Sequence, residues 1–188
     1  ANVTGTSNVA VGTNALPTNV AGNNATAIGT NAMYYANNTA VPFTNTNVAV
    51  GYEALRGSVT PAANTGNDNT AVGYQSLWSN TSGSDNTVAG VNALYLNTTG
   101  NSNSVYGKNA GYKNNGNWNC FFGENSGYEN TTGTYNVFVG YHSGSMNTTG
   151  LSNTFVGYLS GRYNTTGNSN TFYGQQSGQK NVSGNNNS

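Results

Sequence analysis

Asn8-Val9-Ala10-Val11-Gly12 opens a phrase that the chain repeats as Asn69-Thr70-Ala71-Val72-Gly73, Asn136-Val137-Phe138-Val139-Gly140 and Asn153-Thr154-Phe155-Val156-Gly157. Recurrence at near-fixed spacing marks a repeat architecture, in which each unit completes its apolar burial only against its neighbours. The closing glycines are Gly12, Gly29, Gly51, Gly73, Gly90, Gly107, Gly123, Gly140, Gly157 and Gly174, spaced 17, 22, 22, 17, 17, 16, 17, 17 and 17 residues apart. Residues 1–188 therefore form a single repeat domain of about ten coils, with longer loops at about 35–46 and 57–66 that carry Pro42 and Pro61.

Counting from each pivotal glycine, position minus four is Asn in every copy but one, where Ala25 follows Asn24. Positions minus three to minus one are β-branched, small or aromatic, which predicts a short strand ended by a bend at the glycine. Position plus three is always Ala or Ser, so that site is tight. Position minus two changes from Ala10, Ala27, Ala49 and Ala71 through Val88 and Val105 to Phe121, Phe138, Phe155 and Phe172. Position plus four changes the opposite way, from Leu16, Met33, Leu55, Leu77 and Leu94 to Gly111, Gly127, Gly144, Gly161 and Gly178. A close-packed interior conserves total volume, so the exchange predicts core pairs such as Ala71 with Leu77, Phe138 with Gly144, and Phe155 with Gly161.

If minus two faces inward, minus one and minus three face outward. Yet minus one reads Val11, Ile28, Val50, Val72, Ala89, Tyr106, Phe122, Val139, Val156 and Tyr173, which is too apolar for a solvated face. The expected fold is all-β: a parallel β-solenoid or β-roll of about ten tandem coils, mostly of 17 residues, with a second layer supplied by other copies of the chain. Stacked strands lie about 4.8 Å apart, which gives a rod roughly 48 Å long along which Asn at minus four would form an amide ladder.

Only 30 of 188 residues are Val, Leu, Ile or Phe, a proportion that suits disorder unless the apolar residues keep a fixed phase, as they do here. Five Lys and Arg against five Asp and Glu leave no basic patch, which argues against a nucleic-acid partner or an anionic membrane surface. No apolar run approaches the length of a membrane span, so no membrane insertion is expected. The N-terminus lacks the charged and apolar regions of a signal peptide, which predicts a mature form or a piece of a longer chain. Cys120 is the single cysteine and occupies a strand position held elsewhere by Val or Thr, so it reads as a small packing residue.

Ser7-Asn8-Val9-Ala10-Val11-Gly12 and Asn24-Ala25-Thr26-Ala27-Ile28-Gly29-Thr30-Asn31-Ala32 resemble the head repeats of trimeric autotransporter adhesins of the YadA type. Asn69-Thr70-Ala71-Val72-Gly73-Tyr74-Gln75-Ser76-Leu77 is similar to repeats of bacteriophage tail fibres and related surface proteins. The resemblance implies a trimeric fibre built on a β-roll. The unit is longer than the usual adhesin head repeat, and the sequence contains no coiled-coil stalk or membrane anchor.

Enzymes need convergent titratable groups, and one His, one Cys and five scattered carboxylates do not supply them. Neither a catalytic site, a cofactor site nor a metal site is predicted. His142 stands at plus two, where other coils carry Asn or Gln, and reads as an exposed polar residue. Asp68 and Asp85 share position minus five in adjacent coils and read as solvent-exposed. Asn-x-Ser/Thr sequences recur at Asn80, Asn97, Asn130, Asn147 and Asn164, and also at Asn2, Asn24, Asn37, Asn181 and Asn186. They are glycan acceptors if the source is eukaryotic and otherwise turns, which is the preferred reading.

Tyr52, Tyr74, Tyr141 and Tyr158 at plus one, with Tyr34, Trp78, Tyr95, Tyr112 and Tyr128 at plus five, form aromatic stripes. Such stripes suit packing between chains or contact with sugar rings. Thr residues at minus three would make an ice-binding ladder but for the interruptions at Val9, Val48, Cys120 and Val137. The leading expectation is a non-enzymatic, self-associating extracellular fibre or filament segment on a cell or virion surface. Its partners would be copies of itself, as a homotrimer or stacked end to end through uncapped terminal strands. The alternative is an adhesin head or tail-fibre module that binds surface glycans.

Overall fold

In the computed structural model, which describes residues 3–188, the chain winds as a parallel β-solenoid with one three-residue strand per coil. The strands are β1 (Val9–Val11), β3 (Thr26–Ile28), β5 (Val48–Val50), β6 (Thr70–Val72), β7 (Thr87–Ala89), β8 (Ser104–Tyr106), β9 (Cys120–Phe122), β10 (Val137–Val139), β11 (Thr154–Val156) and β12 (Thr171–Tyr173). They lie in sequence order in one ten-stranded parallel sheet. Every pairing keeps the repeat in register: Ala10 lies beside Ala27, Ala71 beside Val88 and Phe138 beside Phe155.

Two other elements sit in the longer connections. β2 (Gly22–Asn23) pairs in parallel with β4 (Phe43–Thr44), so the segment expected to be only a loop at 35–46 returns to the solenoid as a second, two-stranded sheet. The 57–66 connection contains a 3₁₀ turn at Pro61–Ala63, where the fixed φ of Pro61 favours the first turn position. No α-helix occurs among the described residues.

The corners are set by backbone dihedrals that repeat with the sequence. Pivotal glycines hold φ between +115° and +148°, and a Cβ on Gly51 would fall 2.4 Å from the carbonyl oxygen of Gly73 in the next coil. Side chains are excluded there by close backbone stacking as well as by conformation. Positions plus two and plus four are left-handed in all ten coils, from Asn14 and Leu16 to Gln176 and Gly178. Leu16, Met33, Leu55, Leu77 and Leu94 thus hold φ of +47° to +53°, a conformation costly for a large side chain. From Gly111 onward glycine removes that cost.

Glycine also opens the space that Phe fills. A Cβ on Gly144 would lie 2.6 Å from the Phe138 ring, and one on Gly161 would lie 2.3 Å from Phe155. Gly111 is already required one coil early, because Phe121 of the following coil and Leu94 of the preceding one both reach within 2.9 Å of its absent Cβ. Phe121, Phe138, Phe155 and Phe172 stack at centroid distances of 4.9–5.2 Å. Earlier in the rod, Ala71, Leu77, Val88 and Leu94 are fully buried in the same continuous core. Each buried Leu or Phe contributes about 1.5–3 kcal/mol, which is how so few large apolar residues sustain the fold.

Two asparagine ladders flank this core. At minus four, Asn69, Asn86 and Asn103 each donate from Nδ2 to Oδ1 of the asparagine one coil earlier, at 2.9–3.1 Å. Their backbone N–H groups donate to that same Oδ1 at 2.8–3.1 Å. The second ladder runs through the turns: Asn97 donates to Asn80 at 2.9 Å, Asn164 to Asn147 at 2.9 Å and Asn181 to Asn164 at 2.8 Å. Within each coil these turn asparagines also donate to the glycine carbonyl three residues on. Buried amides are satisfied by amides of neighbouring coils, so polar groups reinforce the repeat instead of penalising its interior.

Candidate functional site

With minus two turned inward, the outer face of the sheet carries minus one and minus three. Val11 is 57% exposed and Phe122 56% exposed, while Ile28, Val72 and Tyr106 are also solvent-facing. Within one chain this face is only partly covered, with Val50, Ala89, Val139 and Val156 half-buried, and the chain itself does not supply the second layer that was expected from other copies. Cys120 is half-buried on the same face.

The aromatic positions form ladders of defined extent. At plus one, Tyr52 stacks on Tyr74 at 5.3 Å and Tyr141 on Tyr158 at 5.5 Å. At plus five, Trp78, Tyr95, Tyr112 and Tyr128 form one four-ring stack with spacings of 5.0–5.1 Å and interplanar angles of 7–10°. Burial, followed by the fields of Tyr112 and Glu53, raises the Tyr95 hydroxyl pKa above its ordinary value.

Tyr34 stands apart from this stack and meets Tyr35 edge-on at 4.7 Å. Between Tyr34 and Trp78 the plus-five rung is occupied by Arg56. Its guanidinium carbon lies 5.9 Å from the Tyr34 ring centre and 4.9 Å from that of Trp78. Glu53 holds the arrangement by pairing with Arg56 at 3.5 Å and accepting from Trp78 Nε1 at 3.0 Å. Sequence reasoning placed the rings but not the cation between them; Arg56 at the same repeat position was the available signal.

A further pair was missed. Trp118 and Tyr135 share position minus five and stack at 5.0 Å with an interplanar angle of 2°. Both are left-handed at φ of +54° and +59°, where most other coils have Ser, Asn or Asp. Asp68 and Asp85, at this same position, are exposed, and Asp68 accepts from the Thr46 hydroxyl.

His142 belongs to a ladder at plus two. Asn109 donates to Asn125 at 3.3 Å, and the Asn125 amide meets His142 Nε2 at 3.2 Å. The ring is half-buried instead of freely exposed. Burial lowers its pKa, and the Arg162 charge lowers it further against the opposing field of Glu124. Lys113 is raised, chiefly by its 2.7 Å hydrogen bond to Glu129.

Asn80, Asn97, Asn130, Asn147 and Asn164 do not face solvent as glycan acceptors. They are buried, and Asn97 Nδ2 donates both to Asn80 Oδ1 and to the Gly100 carbonyl, so the nitrogen a glycan would need is committed. Of the two sequence readings the structure supports the turn. Asn24 and Asn186 are exposed, and Asn2 lies outside the described residues.

Among the described residues no group of three or more His, Cys, Asp or Glu side chains converges, and no helix is long and apolar enough to cross a membrane. These features define the molecule as an aromatic-laddered, asparagine-stapled β-solenoid. The chain matches no protein-family model, no curated protein and no solved structure.

Proposed function

We propose that the chain is a non-enzymatic structural segment of an extracellular fibre, on a cell or virion surface, and that copies of it associate through the outer face of the ten-stranded sheet. The observation that carries this reading is the exposed apolar column Val11, Ile28, Val72, Tyr106 and Phe122. The core closes within one chain without these residues, and although Tyr106 and Phe122 meet at 5.6 Å, much of the column's apolar surface stays in water in an isolated rod, which a lateral partner would explain. A second copy fits this role: the face is in register along its length, and a net charge of zero opposes no self-contact. Resemblance to trimeric adhesin heads favours three copies around this face.

Sedimentation velocity at micromolar concentration tests the proposal. The chain is expected to sediment well above its 19.4 kDa monomer mass, and a Val72→Lys/Phe122→Lys variant as a monomer with unchanged circular dichroism. A monodisperse wild-type monomer overturns it.

Glycan recognition along the plus-five ladder is disfavoured by the stacking itself. Tyr95 and Tyr112 have both ring faces covered by neighbouring rings, leaving only edges for a sugar.

A further inference from the structure

The four-ring stack ends at Tyr128. Its next rung, one coil on, is Ser145, and the rung after that is Arg162. A side chain too small to continue the ladder therefore separates a tyrosine from a guanidinium by two coils, about 9.6 Å at strand spacing. Beside this step the surface opens into a groove of about 350 Å³ lined by Tyr128, Glu129, His142, Ser145 and Arg162. That volume is at the lower end of the range for small-ligand sites.

The other end of the same ladder shows what such a rung accepts. There a guanidinium, Arg56, lies between Tyr34 and Trp78, with Glu53 neutralising it. Arg162 differs: it forms no ion pair among the described residues, and its Nε is buried with no hydrogen-bond partner. The neighbouring Glu129 is engaged by Lys113 at 2.7 Å. The groove thus holds the Tyr128 ring, stacked on Tyr112 and with the Lys113 ammonium 6.0 Å from its centre, a guanidinium that rests 5.1 Å from the Tyr163 ring centre but has no acidic partner among the described residues, and a polar edge made by Asn125 and His142.

We propose that this groove binds an acidic pyranose, a hexuronate unit of a surface polysaccharide, seated against the side of the Tyr128 ring turned away from Tyr112 with its carboxylate on Arg162. The C–H face of a sugar ring packs on tyrosine, and a planar guanidinium recognises a carboxylate with paired N–H donors. The amide of Asn125 and the imidazole of His142 suit ring hydroxyls, which an aromatic carboxylate would not offer. This goes beyond the structural role above and does not depend on it, since the groove involves none of the apolar column residues Val11, Ile28, Val72, Tyr106 and Phe122.

The experiment is saturation-transfer NMR and calorimetry on the full chain with methyl glucuronide, methyl glucoside and benzoate as probes. A single-sugar site of this size is expected to bind methyl glucuronide with a Kd on the order of 1 mM. Methyl glucoside should bind about tenfold more weakly, reflecting one lost charge-assisted contact, and benzoate more weakly still. Ser145 is itself buried, so Ser145→Tyr must push its ring out between Tyr128 and Arg162; it should abolish glucuronide binding while circular dichroism keeps the solenoid signature. Ser145→Ala keeps the rung open and should retain binding. Arg162→Gln should bring glucuronide down to the glucoside level. Absence of glucuronide binding at ~10 mM, equal binding of all three probes, or full binding by Ser145→Tyr each overturns the proposal.

Discussion

Two side-chain positions decide how each coil is filled. Leu77 at φ +51° and Gly144 at φ +55° occupy the same repeat position in nearly the same left-handed conformation, so backbone geometry does not separate them. What separates them is the inward residue they face, Ala71 in one coil and Phe138 in the other. Phe138→Ala alone should cost about 3–5 kcal/mol, and Gly144→Leu alone should fail to pack against the ring. The double variant rebuilds the Ala–Leu coil, so a double-mutant cycle in urea should return a favourable coupling of about 2 kcal/mol. Additive single effects would show that these residues do not share a site.

His142 makes a second prediction at this scale. Its folded pKa lies below the usual 6.5, so between those two values the unfolded chain binds more protons. Stability should be full above pH 6.5 and decline as pH falls through that window, because burial and Arg162 oppose the imidazolium more than Glu124 favours it. His142→Asn continues the amide ladder and should flatten this part of a melting-temperature profile.

Among elements, the ladders do more than the three-residue strands. Asn97→Ala removes a donor to Asn80 Oδ1 and an acceptor from the Gly100 N–H, leaving buried groups unpaired on both sides. The expected cost is about 2–4 kcal/mol by thermal or chemical denaturation. The strands, their register and the ladder at minus four were legible in the sequence, because all three follow from one phase repeated ten times. The turn ladder was not: Asn-Thr-Thr-Gly reads as a turn in preference to a glycan acceptor, but only the path of the coil shows that Asn147 points inward. The pairing of Gly22–Asn23 with Phe43–Thr44 was also hidden, since Phe43–Thr44 has no counterpart in the other coils. At the groove, the rings were visible as a column, but the gap at Ser145 and the unpaired Arg162 acquire meaning only once the rungs are placed in space.

Across the whole molecule, each coil touches only its neighbours, so stability is a sum of local interfaces. β1 pairs with β3 alone and exposes all three of its residues, whereas β6 to β11 each have two partners and a fully buried inward residue. Amide exchange should therefore be fastest near Val9–Val11 and slowest between about residues 70 and 156. Lateral assembly should respond to solvent in a way that reports its cause. Ten charged residues and three ion pairs among the described residues leave little electrostatic work across the rod, while the outward column is apolar. Raising sodium chloride through the physiological range should leave the sedimentation coefficient unchanged, because there are few surface charges to screen. Sulfate and warming from the cold should both increase it, since each strengthens apolar burial. Dissociation by modest salt would place the contact on the charged residues and away from the sheet's outer face.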